Sequence, residues 1–114
     1  MRKYRVQYLQ SFYEMLQNIE FYMADHDRSD ASIDRYRSLV FDTCEKFATF
    51  PNRGTSQGDL MAGLRTWNIE GETILAYAVD DLASTVTFAG ITYGGQDWAE
   101  IFAMDPFEFQ RRRH

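Results

Sequence analysis

The chain has 114 residues, of which 45% are hydrophobic and 16% aromatic, a composition that suits one folded domain and excludes a disordered chain. Its formal net charge is -5. Residues 1–54 hold eight basic and eight acidic side chains, whereas residues 55–114 hold four basic against nine acidic ones. Because a surface that binds phosphates is basic, this distribution argues against direct nucleic-acid binding.

The sequence points to the cytoplasm as the compartment. The longest apolar run, residues 74–79, is far shorter than the ~20 residues of a membrane-spanning helix. The polar residues that follow Met1 do not match a secretion signal. Cys44 is the only cysteine, so no internal disulfide can form. We therefore expect a cytoplasmic protein with no membrane partner.

The first half of the chain has one strand-like segment and two helical ones. Residues 3–8 alternate between apolar and polar side chains, which predicts a half-buried strand. Residues 11–25 carry apolar side chains every three or four positions, which predicts a helix with Ser11 as its N-cap. Residues 30–50 repeat this spacing after a polar turn, with Ser29 or the next residue as the cap. The two helices should pack as an antiparallel hairpin.

The second half predicts a three-stranded antiparallel meander over residues 64–69, 73–79 and 85–93. The turns fall at residues 70–72 and 80–81. The middle strand is apolar on both faces and should be the most enclosed. With the N-terminal strand, this pattern predicts an α+β fold in which a helix hairpin packs on one sheet.

We expect residues 1–114 to form a single domain in which residues 97–114 are a C-terminal extension. This extension could hold one or two helical turns before Pro106. The arginine-rich tail, residues 111–113, is expected to be mobile.

Residues 47–54 join the helices to the sheet at a predicted sharp corner. Pro51 cannot continue a helix, and Gly54 accepts the backbone angles of a tight turn. Arg53, on this corner, and Arg65, near a strand start, are candidates for anion or partner contacts because the guanidinium fork suits carboxylates and phosphates. The alternative is that both arginines are solvated or pair with acids such as Asp59.

Other reactive side chains have simpler explanations. Cys44 lies on the apolar stripe of the second helix, so packing is its expected role. His26 lies between two aspartates on a turn, where three adjacent residues rarely converge on one ion. We expect neither a metal site nor a cofactor.

With these residues laid out, the chain resembles the toxin subunits of the RelE/ParE superfamily of bacterial type II toxin–antitoxin (plasmid stabilisation) systems, on the ParE side. The resemblance runs from about Tyr4 to Asp97. The matching segments, in chain order, are Ile33-Asp34-Arg35-Tyr36, Cys44-Glu45-Lys46-Phe47, Phe50-Pro51-Asn52-Arg53-Gly54, Gly63-Leu64-Arg65, Leu75-Ala76-Tyr77-Ala78-Val79 and Ile91-Thr92-Tyr93-Gly94-Gly95-Gln96-Asp97. The resemblance implies a helical hairpin on a largely antiparallel sheet.

The chain departs from the RelE-type mRNA interferases where those carry basic residues. Thr73 and Ile74 match the His and Arg of a frequent strand motif, and Gln96 matches the Arg of His-Gly-Ala-Arg-Asp. Groups for general acid–base work and phosphate stabilisation are therefore few. We expect no catalytic residue; if the chain is an RNase, the candidates are Arg65, Tyr77 and Tyr93.

The ParE-side resemblance implies a toxin that acts by binding, with DNA gyrase as its candidate target and a small DNA-binding, ParD-like antitoxin as its neutralising partner. The candidate target- or partner-binding residues are Arg53, Arg65, Trp67, Tyr93, Trp98 and Phe102. Two alternatives stay open: a RelE-like, ribosome-dependent mRNA endoribonuclease, and a non-toxic relic that kept antitoxin binding.

Overall fold

The computed structural model describes residues 3–102. Its elements are β1 (Arg5–Tyr8), α1 (Gln10–Asp25), α2 (Asp30–Glu45), a 3-10 turn (Lys46–Ala48), β2 (Thr55–Ser56), β3 (Arg65–Ile69), β4 (Thr73–Asp80), β5 (Thr85–Tyr93) and α3 (Trp98–Phe102). The strands form a five-stranded sheet in the order β1-β5-β4-β3-β2. The predicted α+β class is confirmed, and β2 adds a short strand in a segment that the sequence indicates to be a loop.

The two long helices begin in different ways. Ser29 is the N-cap of α2, and its Oγ accepts a hydrogen bond from the Ser32 N–H at 3.1 Å, as predicted. The N-cap of α1 is Leu9, whose side chain makes no capping bond, so the prediction of Ser11 as the cap is wrong. Ser11 Oγ instead donates to the Ala89 carbonyl at 2.6 Å. This bond ties the first turn of α1 to β5.

The helix α2 ends earlier than its apolar stripe predicts. The regular helix stops at Glu45, and one 3-10 turn carries the chain to Ala48. Phe47 is fully buried, but Phe50 is 54% exposed and lies outside the core. The buried Pro51 explains this difference, because the residue before a proline is disfavoured in helical geometry.

The predicted meander is confirmed for β3, β4 and β5. The turn between β3 and β4 contains Glu70 (φ 52°) and Gly71 (φ 81°), the pair of positive angles that a tight hairpin turn needs. Asn68 Oδ1 accepts a hydrogen bond from the Gly71 N–H at 2.7 Å. Because both residues have positive φ, the chain reverses tightly within the three residues between Ile69 and Thr73, which pair directly, and the turn sets the register of the hairpin.

The strand β5, and not β4, is the most enclosed strand, so that prediction is wrong. β1 lies parallel to residues 85–88 of β5, with Val6 opposite Val86, and Ser11 and Met15 of α1 lie against the second half of β5. Seven of its nine residues are buried, against four of eight in β4. The parallel return of the N-terminal strand is a long-range pairing that local apolar content does not report.

The two faces of the sheet are covered by different helices. Phe12 and Leu16 of α1 and Val40 of α2 pack with Tyr77 and Phe88 of the sheet in the main core. On the opposite face, which we call the far face, a smaller cluster forms around α3 and contains Leu64, Ala76 and Phe102. The far face is therefore closed at the α3 end.

A β-bulge in β5 lets α1 and α3 approach the same point. Ala76 pairs with Gly90 but Tyr77 pairs with Phe88, so β5 has one extra residue. A Cβ at Gly90 would lie 2.8 Å from Phe102 Cε1 and 3.1 Å from Met15 Sδ. Only a residue without a side chain leaves both contacts in place.

Among residues 3–102, no helix is long and apolar enough to span a bilayer. The predicted helical turn beyond β5 is confirmed as α3 within this range. The predictions about Pro106 and about residues 111–113 lie outside the described residues.

Candidate functional site

The corner between the 3-10 turn and β2 is held in place by two side chains from the sheet. Tyr77 Oη accepts a hydrogen bond from the Gly54 N–H at 2.9 Å. Arg65 Nη2 donates to the carbonyls of Asn52 at 3.0 Å and Gly54 at 2.6 Å. Three hydrogen bonds therefore fix the backbone on either side of Arg53.

These contacts involve Tyr77 and Arg65, two of the three residues that would be catalytic if the chain were an RNase. Tyr77 has no exposed surface, and its ring contacts Phe47 and Phe88 at centroid distances of 4.8 and 5.3 Å. Arg65 uses Nη2 to hold main-chain carbonyls, and its Nε is buried with no partner among the described residues. In this arrangement both side chains support the corner, and the Tyr77 hydroxyl is out of reach of a substrate.

Arg53 is exposed and lies among three aromatic rings. Its Cζ is 5.3 Å from the ring centroid of Phe47, 5.6 Å from that of Phe50 and 5.6 Å from that of Trp67. These distances are those of cation–π contacts. We call Phe47, Phe50, Arg53 and Trp67 the Arg53 corner. No carboxylate within residues 3–102 pairs with Arg53, so neither arginine pairs with Asp59.

Tyr93 lies far from the Arg53 corner, at the end of β5. Its hydroxyl accepts a hydrogen bond from Arg28 Nη1 at 3.3 Å, and its ring meets that of Tyr36 edge-on at 5.5 Å. Arg28 precedes α2 and Phe47 follows it, and a helix of this length spans roughly 24 Å. Tyr93 therefore cannot act on one small substrate together with Arg65.

A concave surface lies next to Tyr93. It has a volume of about 300 Å³ and lies between α1, the end of β5, the loop after β5 and α3. We call it the α1–β5 groove. Its lining residues are Met15, Asn18, Ile19, Tyr22, Ile91, Thr92, Tyr93, Gly94, Gly95, Gln96 and Ile101.

Trp98 and Phe102 lie in α3, on the far face. Phe102 is fully buried against Leu64 and Ala76, whereas Trp98 is half-buried at the edge of the same cluster. The six candidate binding residues thus fall into three places: the Arg53 corner with Arg65, the α1–β5 groove with Tyr93, and α3.

The far face carries little positive charge. Of the described strand residues only Arg5 and Arg65 are basic. Arg65 pairs with Tyr77 across the β3–β4 ladder, so its side chain lies on the helix-side face of the sheet. The far-face positions near Arg5 add no cation: Gln7, Thr87 and Ala78 are uncharged and Asp80 is acidic. A polynucleotide would meet a single strand arginine there.

Buried protonatable groups in the core are held neutral. Burial raises the pKa of Tyr36 to about 12, although its hydrogen bond with Thr73 opposes this shift. Burial also raises the pKa of Cys44, with a smaller effect of the neighbouring Glu45 carboxylate. Burial and then its hydrogen bond to Glu45 raise the pKa of Tyr8. The thiol is therefore not a nucleophile at neutral pH, in line with its expected packing role.

The segment around His26 forms a surface contact. The His26 ring stacks on Tyr22 at a centroid distance of 4.1 Å, and Nδ1 lies 2.8 Å from the Tyr22 carbonyl. Within residues 3–102, no three His, Cys, Asp or Glu side chains are grouped to hold a metal ion.

Sequence reasoning missed two parts of these surfaces. Phe50 was expected on the buried stripe of α2, yet it covers Arg53; the proline that follows it is the signal that could have placed it outside the helix. Nothing in the sequence indicates that Met15, Asn18 and Tyr22 form one wall of the groove, because this wall exists only when α1 packs beside β5.

The described chain is thus a small α+β fold with aromatic and charged surfaces at the two ends of α2. No protein-family model and no curated protein matches its sequence. Three solved structures are similar. The toxin–antitoxin complex RelBE2 from Mycobacterium tuberculosis aligns at 19% identity over 84% of this chain and 97% of that chain, with a TM-score of 0.63.

A chromosomal ParDE toxin–antitoxin system from P. aeruginosa aligns at 12% identity over 82% of this chain and 99% of that one, with a TM-score of 0.66. A free E. coli RelE toxin carrying two arginine-to-alanine substitutions aligns at 10% identity over 90% and 95%, with a TM-score of 0.54. At these identities the likeness is one of fold. The chain has the RelE/ParE toxin fold, and the resemblance of its sequence is confirmed at that level.

Proposed function

We propose that this chain is the toxin of a type II toxin–antitoxin system, that it acts as a ParE-like protein by binding a cellular target, and that a cognate antitoxin neutralises it. The observation that carries the proposal is the RelE/ParE toxin fold combined with a far face that has one strand arginine. DNA gyrase is the target we propose to test first.

The positions and contacts of the three catalytic candidates favour a toxin that binds its target over one that cleaves RNA. Cleavage needs a positioned acid or base and cations that stabilise the charge developing on phosphate. Tyr77 is buried, Arg65 is occupied by main-chain carbonyls, and Tyr93 lies at the other end of α2. These three groups would have to rearrange to meet around one phosphate.

The Arg53 corner supplies the surface that we propose contacts the target. Arginine and tryptophan dominate the energetics of many protein interfaces, and Phe50 adds an exposed ring beside them. The aromatic rings and the hydrogen-bonded backbone hold the Arg53 guanidinium before any partner arrives. Such preorganisation reduces the entropy cost of binding.

The test is induction of the chain in a bacterial host without its antitoxin, followed by three measurements: growth, the state of the DNA, and the 5′ ends of cellular mRNA. We expect growth arrest with a DNA-damage response and intact messages. We also expect the purified chain to inhibit supercoiling by DNA gyrase. Codon-linked cuts in mRNA would favour the interferase alternative, and unimpaired growth would favour the non-toxic relic.

An arginine pair gives a matched control for the role of the Arg53 corner. Arg53→Gln removes the cation that the rings hold, so gyrase inhibition should fall at least tenfold. Arg35→Gln removes an exposed arginine on α2 outside this corner and should leave inhibition unchanged. Equal inhibition by the two variants would remove Arg53 from the interface while leaving the toxin assignment to the growth experiment.

A further inference from the structure

We infer that the α1–β5 groove receives a bulky apolar side chain from a basic segment of the antitoxin. The inference rests on the proposed function only for the identity of the partner. The groove lies at the opposite end of α2 from the Arg53 corner, so a partner there would occupy a second, separate surface.

The groove has the size and lining of a pocket for one large side chain. Its volume of about 300 Å³ is at the small end for ligand pockets. Met15, Ile19, Ile91 and Ile101 line it with aliphatic groups, and Tyr22 lines it with a half-exposed ring. An apolar side chain entering this space would leave water for an apolar environment, which is favourable.

The loop that closes the groove is held by specific hydrogen bonds. Gln96 Oε1 accepts a hydrogen bond from the Tyr93 N–H at 2.8 Å, and the Gly94 N–H donates to the Glu72 carbonyl at 2.9 Å. Gly94 has φ 67°, a conformation that favours glycine. A Cβ at Gly95 would meet no heavy atom within 4 Å. Gly95 therefore lines the groove at a position where an added side chain would meet no protein atom nearby.

Acidic residues adjoin the residues that line the groove, and we infer the charge of the partner from them. Glu72 is bonded through its carbonyl to the groove loop, Asp97 follows Gln96, and Glu100 precedes Ile101. All three are exposed, and none has an ion-pair partner among the described residues. A segment with lysines or arginines beside its apolar side chain would complement them.

The same carboxylates argue against a nucleotide in the groove, because they repel phosphate. Arg28 is the one basic side chain shown beside the groove, and it is engaged by Ser32 and by the Tyr93 hydroxyl. A protein segment with an apolar anchor and positive flanks meets both the lining and the charge.

The probe is a short fluorescent peptide with one phenylalanine flanked by lysines, mixed with the full chain. Two control peptides replace the phenylalanine by serine or the lysines by glutamates. We expect the first peptide to bind in a salt-sensitive manner, to shift the amide resonances of residues 91–96, and to bind at least tenfold more tightly than either control. No binding, or equal binding of the glutamate peptide, would overturn the inference.

Variants of the chain test whether the peptide binds in the groove. Gly95→Leu adds a bulky side chain to a residue that lines the groove and should reduce binding at least tenfold, whereas Gly58→Leu, in a loop outside the groove, should not. Glu72→Gln with Glu100→Gln should reduce both the affinity and its salt dependence, whereas Asp42→Asn with Asp59→Asn should change neither. Circular dichroism and thermal unfolding check that each variant is folded. Binding that survives Gly95→Leu in a folded chain would contradict the assignment.

The antitoxin itself, sought as the product of a reading frame beside that of this chain, tests the natural partner. Its co-expression should rescue growth from the unmodified chain and from Gly58→Leu, but not from Gly95→Leu. Rescue of Gly95→Leu at the same antitoxin level would show that the groove is not used. Growth arrest without peptide binding would overturn this inference alone, whereas peptide binding without growth arrest would overturn the proposed toxicity alone.

Discussion

Gly54 has a steric role that its place in a sharp turn does not reveal. A Cβ at this position would lie 2.5 Å from the Thr66 carbonyl and would collide with the Tyr77 hydroxyl. The Gly54 amide donates to that same hydroxyl, and its carbonyl accepts from Arg65. The absence of a side chain therefore lets the corner pack directly on the sheet.

Gly54→Ala should destabilise the protein by about 2–4 kcal/mol, because one of its clashes is with backbone that cannot rotate away. Urea unfolding of the purified chain measures this change. Gly58→Ala is the matched control, since its Cβ would be 3.7 Å from Ser56 Oγ, an ordinary contact. If the two alanine variants unfold at the same urea concentration, the close approach at Gly54 does not hold in solution.

The residue scale also separates the two arginines that the sequence could not distinguish. Arg65 donates hydrogen bonds to two main-chain carbonyls. Arg53 lies among aromatic rings, and no described contact uses its N–H groups. The difference follows from strand register. Arg65 lies opposite Tyr77, on the face that the corner covers.

At the scale of elements, the short helix α3 depends on its packing against the rest of the molecule. Five residues cannot form a stable helix alone. Its position depends on Phe102, which fills the space between Leu64, Ala76 and the bulge at Gly90. The element is therefore held by tertiary packing.

Phe102→Ala should cost about 3 kcal/mol, because it removes a fully buried ring from the far-face cluster. Trp98→Ala should cost less, since Trp98 is half-buried at the cluster edge. Thermal or urea unfolding of the full chain compares them. If Phe102→Ala unfolds like the unmodified chain but loses partner binding, Phe102 acts as a binding anchor, as the sequence predicted, and not as cover for the sheet.

At the scale of the whole molecule, several core groups respond to alkaline pH in the same direction. The pKa values of Tyr8, Tyr36 and Cys44 are all raised, first of all by burial of the charged form. A raised pKa in the folded state gives stability that is present below the unfolded pKa and is lost as pH rises toward the folded value. The fold should therefore weaken in strong base.

For Tyr36 the window runs from its ordinary pKa of 10.0 to about 12. Two pKa units correspond to about 2.7 kcal/mol, which is an upper limit because the side chain is partly exposed. Urea unfolding across this range should show the free energy of unfolding falling less steeply for Tyr36→Phe than for the unmodified chain. Equal slopes would mean that Tyr36 titrates in the folded protein as it does in the unfolded one.

The charge distribution is also a property of the whole molecule. The two proposed surfaces lie at opposite ends of α2, with an exposed cation at one and uncompensated carboxylates at the other. Sequence counts had located the acidic excess in the second half of the chain. They could not place Glu72 and Glu100 beside one groove, because that requires β4 and α3 to meet around the end of β5.

By itself the sequence determined what depends on near neighbours: the spacing of the helix hairpin, the Ser29 cap, the strands of the meander and the turn at Gly71. These features follow from backbone preferences and from the period of apolar residues. The tertiary structure alone decided the parallel pairing of β1 with β5, the burial of Phe102, the exposure of Phe50 and the existence of the groove. Each of these depends on which side chains meet across long stretches of chain, and an apolar residue reads the same in a sequence whether it meets a core, a cation or solvent.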